Sequence, residues 1–328
     1  MKKLFVTVQN HVDSQLSSFL ESKKPSLLTS AIKDTIAFGG KRIRPTLLYV
    51  AYKGFGGKDD KLIWQIGAAL ELFHTSAIIH DDIIDNSKTR RGKPTVVEKH
   101  GLPTALLVGD LALSLANELF YNTLLTKFLS QQVSDQWYAL QEEMMYGQFL
   151  DVSSNVFNLI KNNDFDKDRL EQKVMEVMEY KTARYSVERP LLLGAKLANA
   201  SVKEHELLSH YGRKVGIVFQ IQDDILGIFG DEKRTGKSAN SDLEEGKLTL
   251  LMAKLLSVYS DRKELKTQVR NVEWVRDQLR KYRIDEECKK LASELIQEAK
   301  KSLSKTSLTK DSSRFLLSFA EYVLTRTA

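Results

Sequence analysis

Helix-breaking residues are scarce in this chain. Proline occurs five times in 328 residues, at 25, 45, 94, 103 and 190, and from Lys247 to the end there is neither proline nor glycine. So few breakers predict a mostly helical protein. Alternating strand patterns bounded by turn residues are hard to find, which argues against a Rossmann-like sheet. Cysteine is limited to Cys288, so no internal disulfide can form. Its setting, Asp285-Glu286-Glu287-Cys288-Lys289-Lys290, is that of an incidental helix residue rather than a nucleophile. No uninterrupted apolar run approaches the roughly 18 residues of a membrane span. The start carries two lysines but too short an apolar stretch for a secretory signal, so a cytoplasmic location is expected. The formal charge is only +6, with no long basic run and no basic-aromatic interleaving, which disfavours nucleic-acid binding.

What is present is an ordinary soluble composition, 42% apolar and 28% charged, enough to bury a sizeable core. Val12, Leu16, Phe19 and Leu20 follow an amphipathic helix template near the start, and Phe315, Phe319 and Val323 follow it near the end. Breaks are short (39–40, 54–57, 92–94, 162–168 and 230–246), and none has the length or composition of an interdomain linker. The expected architecture is one all-α domain over residues 1–328, a helical bundle with two acidic helices facing each other across a central cavity.

The first acidic helix carries His80-Asp81-Asp82-Ile83-Ile84-Asp85 within an apolar run. Asp81 and Asp85 stand four apart, so a helix places their carboxylates on one face. Clustered carboxylates need a counter-charge, and a hard divalent cation such as Mg2+, which takes one or two carboxylates plus substrate phosphates, suits them. Phe219-Gln220-Ile221-Gln222-Asp223-Asp224-Ile225-Leu226-Gly227 repeats that chemistry about 140 residues later. Either doublet alone also fits a solvated acidic face; two among apolar neighbours are far more specific.

Cations accompany both. Phe38-Gly39-Gly40-Lys41-Arg42-Ile43-Arg44-Pro45 puts three cations in four residues behind glycines that allow close backbone approach, a compact anion site or a solvated basic turn. His74 lies on the face of Asp81 by helical spacing, where a histidine is also a common core residue. After Asp85, Gly92 and Pro94 are expected to end the helix near Arg90 and Arg91. Those two guanidinium groups suit either a diphosphate or the neighbouring aspartates.

Taken in order, the motifs resemble those of the trans-isoprenyl diphosphate synthases, or polyprenyl synthetases. They are Gly39-Gly40-Lys41-Arg42 with Arg44-Pro45, the aspartates at 81 to 85, Arg90-Arg91-Gly92, Gly147-Gln148, Lys181-Thr182, Phe219-Gln220 with Asp223-Asp224, Gly236-Lys237, and the segment from Asp242 to Lys247. The resemblance spans residues 39 to 250 and looks most like bacterial geranylgeranyl diphosphate synthases. It implies that Asp81, Asp85 and Asp223 ligate a cluster of three Mg2+, with Asp82 and Asp224 supporting or sharing that role. It implies that Arg90, Lys181 and Lys237 bind an allylic diphosphate, and that Lys41, Arg42, His74 and Arg91 bind isopentenyl diphosphate. Thr182 and Gln220 would line the reaction centre, and Lys247 aligns with a second lysine beyond the acidic motif. Gly227 departs from the pattern, standing where many relatives carry the last aspartate of the second motif.

By the same resemblance the growing hydrocarbon runs beside the first acidic helix. Ser76 and Ala77, five and four residues before Asp81, are small enough to let it pass. Phe73, eight residues or roughly 12 Å from Asp81, is a candidate floor. The expected activity is a Mg2+-dependent condensation of an allylic diphosphate with isopentenyl diphosphate, giving all-trans geranylgeranyl diphosphate. A longer quinone-tail product, of C30 or more, and a non-catalytic regulatory subunit are the alternatives. A homodimer and at most peripheral membrane contact are expected.

Overall fold

The computed structural model describes residues 1–127, 130–163, 165–230, 243 and 245–326. The expected all-α class is met. Among the described residues the only strands are the two-residue β1 (Thr89–Arg90) and β2 (Lys93–Pro94), paired as one antiparallel hairpin. The chain divides into two compact units. One comprises Met1–Asp135, Pro190–Ser201 and Ser307–Phe315; the other comprises Gln136–Arg189, Val202–Thr306 and the segment from Leu316 onward.

In the first unit, α1 (Lys2–Glu21) buries Val8, Val12, Leu16 and Leu20, four residues apart and therefore on one face. Helix α2 (Leu27–Ala37) starts at a capping box in which Ser26 and Thr29 satisfy each other's backbone N–H groups. Helix α3 (Ile43–Gly54) follows the glycine turn, and α4 (Asp60–Ile84) is the central element. Asp59 caps α4, its carboxylate accepting from the Leu62 N–H at 2.9 Å. Apolar residues on several faces make α4 a core helix, with Ile63, Ile66, Leu70 and Phe73 almost fully buried.

After the hairpin come α5 (Val96–His100) and α6 (Leu102–Thr126), and α6 packs along α4. Its buried Ala105, Gly109, Ala112 and Ala116 recur at helical spacing and let the two backbones approach. A Cβ on Gly109 would lie 2.3 Å from His80 Nε2. Both α4 and α6 are long and apolar enough to cross a membrane, although no single run was expected to be. For α4 the apolar content is explained by burial on the faces it turns to its neighbours.

The second unit holds most of α7 (Gln131–Val152), α8 (Val156–Lys161), α9 (Lys167–Val177), a π-helix (Met178–Glu188) and α11 (Val202–Phe229), the helix after α10 (Arg189–Leu197). Helix α11 packs against both the π-helix and the helix Ile284–Leu303. Two glycines permit the closest approach: a Cβ on Gly216 would lie 2.3 Å from Ala183 Cα, and one on Gly212 would lie 2.7 Å from Glu188 Cα. At the end of the π-helix the Arg189 N–H reaches back five residues to the Arg184 carbonyl. Pro190 follows with no N–H to offer the preceding turn.

Candidate active site

In the first unit, the aspartates close α4. Asp81 and Asp82 stand in its last turn and Asp85 is its C-cap. That is the end where the exposed carbonyls carry partial negative charge, so three carboxylates there require cations. The helix stops because Asn86 takes a left-handed conformation (φ 50°). The Ser87 N–H bonds the Asp82 carbonyl at 2.9 Å and the Asn86 N–H bonds that of Ile83 at 3.3 Å, the pairing of a Schellman cap. The expected termination near Arg90 is therefore corrected: the helix ends at Ile84, and Arg90 and Arg91 belong to the hairpin. Arg91 (φ 51°) and Gly92 (φ 72°) form its two-residue turn, with the positive dihedrals that match strand twist.

This hairpin delivers Arg90 to the aspartates. Its Nε donates to Asp82 Oδ1 at 2.8 Å, and Nη2 lies 3.4 Å from Asp81 Oδ2. Burial opposes the Arg90 charge, but the Asp82 bond and the fields of Asp81, Asp82 and Asp85 hold its pKa above the ordinary value.

About two and three turns back along α4 from Asp81, at His74 and Glu71, lies a second charged cluster. His74 is pushed well below its usual pKa by burial first, then by the positive fields of Arg44, Arg91, Arg90 and Arg42. It is a neutral imidazole in the positive field of four guanidinium groups. Burial and the neighbouring Arg42 and Arg90 likewise lower the pKa of Arg91. Gly40 allows this crowding: a Cβ there would sit 3.0 Å from Arg91 Nη1 and 3.4 Å from Arg42 Nη1. Convergent cations around an uncharged hydrogen-bonding ring form a site for a polyanion.

Arg42 does not meet the expectation of a ligand-facing guanidinium. It is 7% exposed, and its Nε donates to Asp13 Oδ1 at 2.9 Å, Nη1 to Glu71 Oε2 at 3.1 Å and Nη2 to the Ile36 carbonyl at 3.1 Å. Lys41 is exposed beside it. Glu71 is the participant that sequence reasoning missed, while Arg44, one of the three cations of the glycine-turn anion site, acts on His74 here. Glu71 precedes His74 by three residues on the same face of α4, a spacing that could have flagged it. Phe73 and Ser76 are buried on α4, and Ala77 is partly exposed.

In the second unit, the π-helix carries two adjacent hydrogen-bonded sets, Lys181 with Asp151 of α7, and Thr182 with Gln220 and Asp224 of α11. Lys181 Nζ lies 2.5 Å from Asp151 Oδ2. Thr182 Oγ1 donates to Gln220 Oε1 at 2.6 Å, and Gln220 Nε2 donates to Asp224 Oδ1 at 2.8 Å. Gly147 of α7 lies against this segment, where a Cβ would be 2.2 Å from the Lys181 backbone nitrogen. Asp151 was also missed; an aspartate four residues beyond Gly147 is on the neighbouring turn of that helix, which was the available signal.

Asp223 is ion-paired with Arg326, whose guanidinium stacks 4.1 Å from the Phe219 ring centroid. Burial lowers the Arg326 pKa to about 10. Lys247 is held by a bridge to Asn155 and by an ion pair with Glu245 at 2.8 Å. Lys237 lies outside the described residues, as does Asp231.

The aspartates offer only hard oxygen donors. Among the described residues no three carboxylate, imidazole or thiolate side chains gather closely enough to enclose a metal by themselves. That donor set fits magnesium, which keeps waters and substrate phosphate oxygens in its shell, and does not fit a protein-enclosed transition metal.

The family model for polyprenyl synthetase matches residues 25–283. The chain is 34% identical over 261 residues to a geranylgeranyl diphosphate synthase of Sulfolobus acidocaldarius, covering 77% of this chain and 74% of that one. It is 34% identical over 254 residues to a short chain isoprenyl diphosphate synthase of Methanocaldococcus jannaschii, covering 77% and 73%. These relatives are archaeal rather than bacterial, so the sequence likeness is not specific to bacterial members. Among solved structures, a geranylgeranyl pyrophosphate synthase from Corynebacterium glutamicum, complexed with isoprenyl diphosphate and magnesium, superimposes with a TM-score of 0.85. It is 28% identical and the match covers 99% of both chains.

Proposed function

The chain belongs to the polyprenyl synthetase family, and from that premise we propose that it condenses an allylic diphosphate with isopentenyl diphosphate to make all-trans geranylgeranyl diphosphate. The observation that carries this reading is the pair of anion-binding clusters on α4. The aspartates with Arg90 suit a metal-bound diphosphate, and the arginines around neutral His74 suit a second diphosphate without metal. An enzyme that only ionises one diphosphate has no use for the second cluster.

Asp81, Asp85 and Asp223, helped by Asp82 and Asp224, would hold magnesium, three ions per site in this proposal. Bound magnesium would neutralise charge gathering on the departing diphosphate as the allylic carbon–oxygen bond breaks. Arg90, Lys181 and Lys237 would grip that diphosphate. Lys41, His74 and Arg91 would hold isopentenyl diphosphate, so that its double bond reaches the allylic carbon in a productive orientation. One carbon–carbon bond forms, diphosphate leaves, and a proton passes from the condensed product to the released diphosphate. Thr182 and Gln220 would line the reacting end, their hydroxyl and amide oriented by each other and by Asp224.

Product length is read from α4: the small side chain of Ser76 lets the hydrocarbon pass, and the ring of Phe73 stops it one turn deeper. Geranylgeranyl diphosphate is also the product in the name of the Sulfolobus acidocaldarius relative. A single domain over 1–328, a cytoplasmic location and a homodimer complete the proposal. The exposed Leu102, Leu106 and Leu107 of α6 support association with a second copy.

The test is purified protein with Mg2+, isopentenyl diphosphate and geranyl or farnesyl diphosphate, followed by dephosphorylation and chromatography. Geranylgeraniol is expected. Alcohols of C30 or more would move the chain to the quinone-tail class. No elongation by the protein alone would indicate a regulatory subunit.

A further inference from the structure

Arg42 and Glu71 form a buried pair beside the second diphosphate cluster, and neither is exposed enough to serve as a binding surface. Glu71 is 3% exposed and Arg42 is 7% exposed. Glu71 Oε2 accepts from Arg42 Nη1, while its Oε1 is buried without a hydrogen-bond partner. Burial raises the Glu71 pKa, and Arg42, Arg44 and Arg91 offset part of that rise. Arg42 is itself the N-cap of α3 in a left-handed conformation (φ 46°), directly after Lys41 and two residues beyond Gly40. A clamp on its guanidinium therefore fixes the glycine turn that precedes Lys41 and faces Arg91. The other end of the clamp is rigid, because Glu71 belongs to the core helix α4, one turn before His74.

We propose that Glu71 is a positioning residue for isopentenyl diphosphate: through Arg42 it fixes the Gly39-Gly40-Lys41 turn and the facing Arg91 in the geometry that receives the diphosphate. This rests on reading the His74 cluster as the isopentenyl diphosphate site. Glu71 touches neither substrate. Its contribution is preorganisation, since a carboxylate held by the core replaces the ordering that the ligand would otherwise have to impose.

The test varies each substrate separately with wild type, Glu71→Ala and Glu71→Gln. The alanine variant is expected to raise KM for isopentenyl diphosphate at least tenfold while KM for the allylic diphosphate stays within twofold. The glutamine variant keeps an acceptor oxygen for Arg42 Nη1 and is expected to stay within threefold of wild type. If Glu71→Ala does not fold, Glu71→Asp, which withdraws the carboxylate by one methylene, takes its place with the same expectation. An unchanged isopentenyl KM, an equal rise in both KM values, or a glutamine variant as impaired as alanine would overturn the proposal. An inactive wild type would instead refute the function assigned to the cluster.

Discussion

Replacing Gly147 by alanine adds one methyl group where α7 meets the π-helix. The added carbon would lie 2.2 Å from the Lys181 nitrogen and 2.6 Å from both Lys181 Cα and the Tyr180 carbonyl carbon. All three are backbone atoms, so no flexible tip can swing aside. Ordinary contact begins near 3.4 Å, so the π-helix must move by about 1.2 Å at Lys181, the difference between 3.4 and 2.2 Å. Overpacking of this kind costs about 1–3 kcal/mol, which a folded protein of this size tolerates. Its effect on chemistry is larger. Lys181 and Thr182 are bonded to Asp151 and Gln220 at 2.5 and 2.6 Å, distances that a shift of that size destroys. A misplacement of about 1 Å can cost about 100-fold in rate. We expect kcat of Gly147→Ala to fall about 100-fold, measured with both substrates saturating and at a temperature where circular dichroism shows a folded protein. Gly212→Ala crowds the far end of the same π-helix, at Glu188, and should cost comparable stability with much less loss of kcat. A folded Gly147→Ala enzyme with kcat within threefold of wild type would refute the reasoning.

Asp81→Asn keeps the side-chain shape and removes the charge, and turnover should drop by about 100- to 1,000-fold with an unchanged unfolding curve; a near-normal rate would contradict the metal role. Ser76→Tyr places a ring at a buried position of α4 five residues before Asp81 and should shorten the product, read by chromatography of the dephosphorylated alcohols. Unchanged length would show that the hydrocarbon does not run past residue 76. His74 is neutral in the folded state, its pKa depressed below the ordinary 6.5, whereas the unfolded imidazole gains a proton near that value. Its contribution to stability is therefore full above pH 6.5 and is lost as pH falls through and below it. Urea midpoints between pH 7.5 and about pH 5.5 should fall more steeply for wild type than for His74→Gln, and parallel slopes would sink the assignment.

The helical fold was legible because its signal is additive: sparse proline and glycine, with apolar spacing at Val12, Leu16 and Leu20, all point the same way. The aspartate doublets were legible for a related reason, since carboxylates among apolar neighbours need a cation wherever the helix goes. Arg42 was misread because three cations in four residues look equivalent along the chain. Only the left-handed cap at 42 turns that guanidinium inward to Asp13 and Glu71. The spacing from His74 could place Glu71 on that face of α4, but its partner Arg42 is 29 residues away, so the pairing itself is not legible along the chain. The same holds for Asp151, which meets Lys181 across 30 residues. The register of the π-helix has no compositional signature, and the close approaches that Gly147 and Gly216 allow at Lys181 and Ala183 come from other helices.

That register has an engineering corollary. A segment whose carbonyls reach five residues ahead instead of four is a rare form found mostly at functional sites, and the α-helix is the regular form its residues would otherwise adopt. Substitutions selected only for heat resistance would tend to rewind residues 178–188 into the tighter form. Rewinding would rotate the ammonium of Lys181 and the hydroxyl of Thr182 off their partners, so a thermostabilised variant with a regularised segment here would be sturdy and idle.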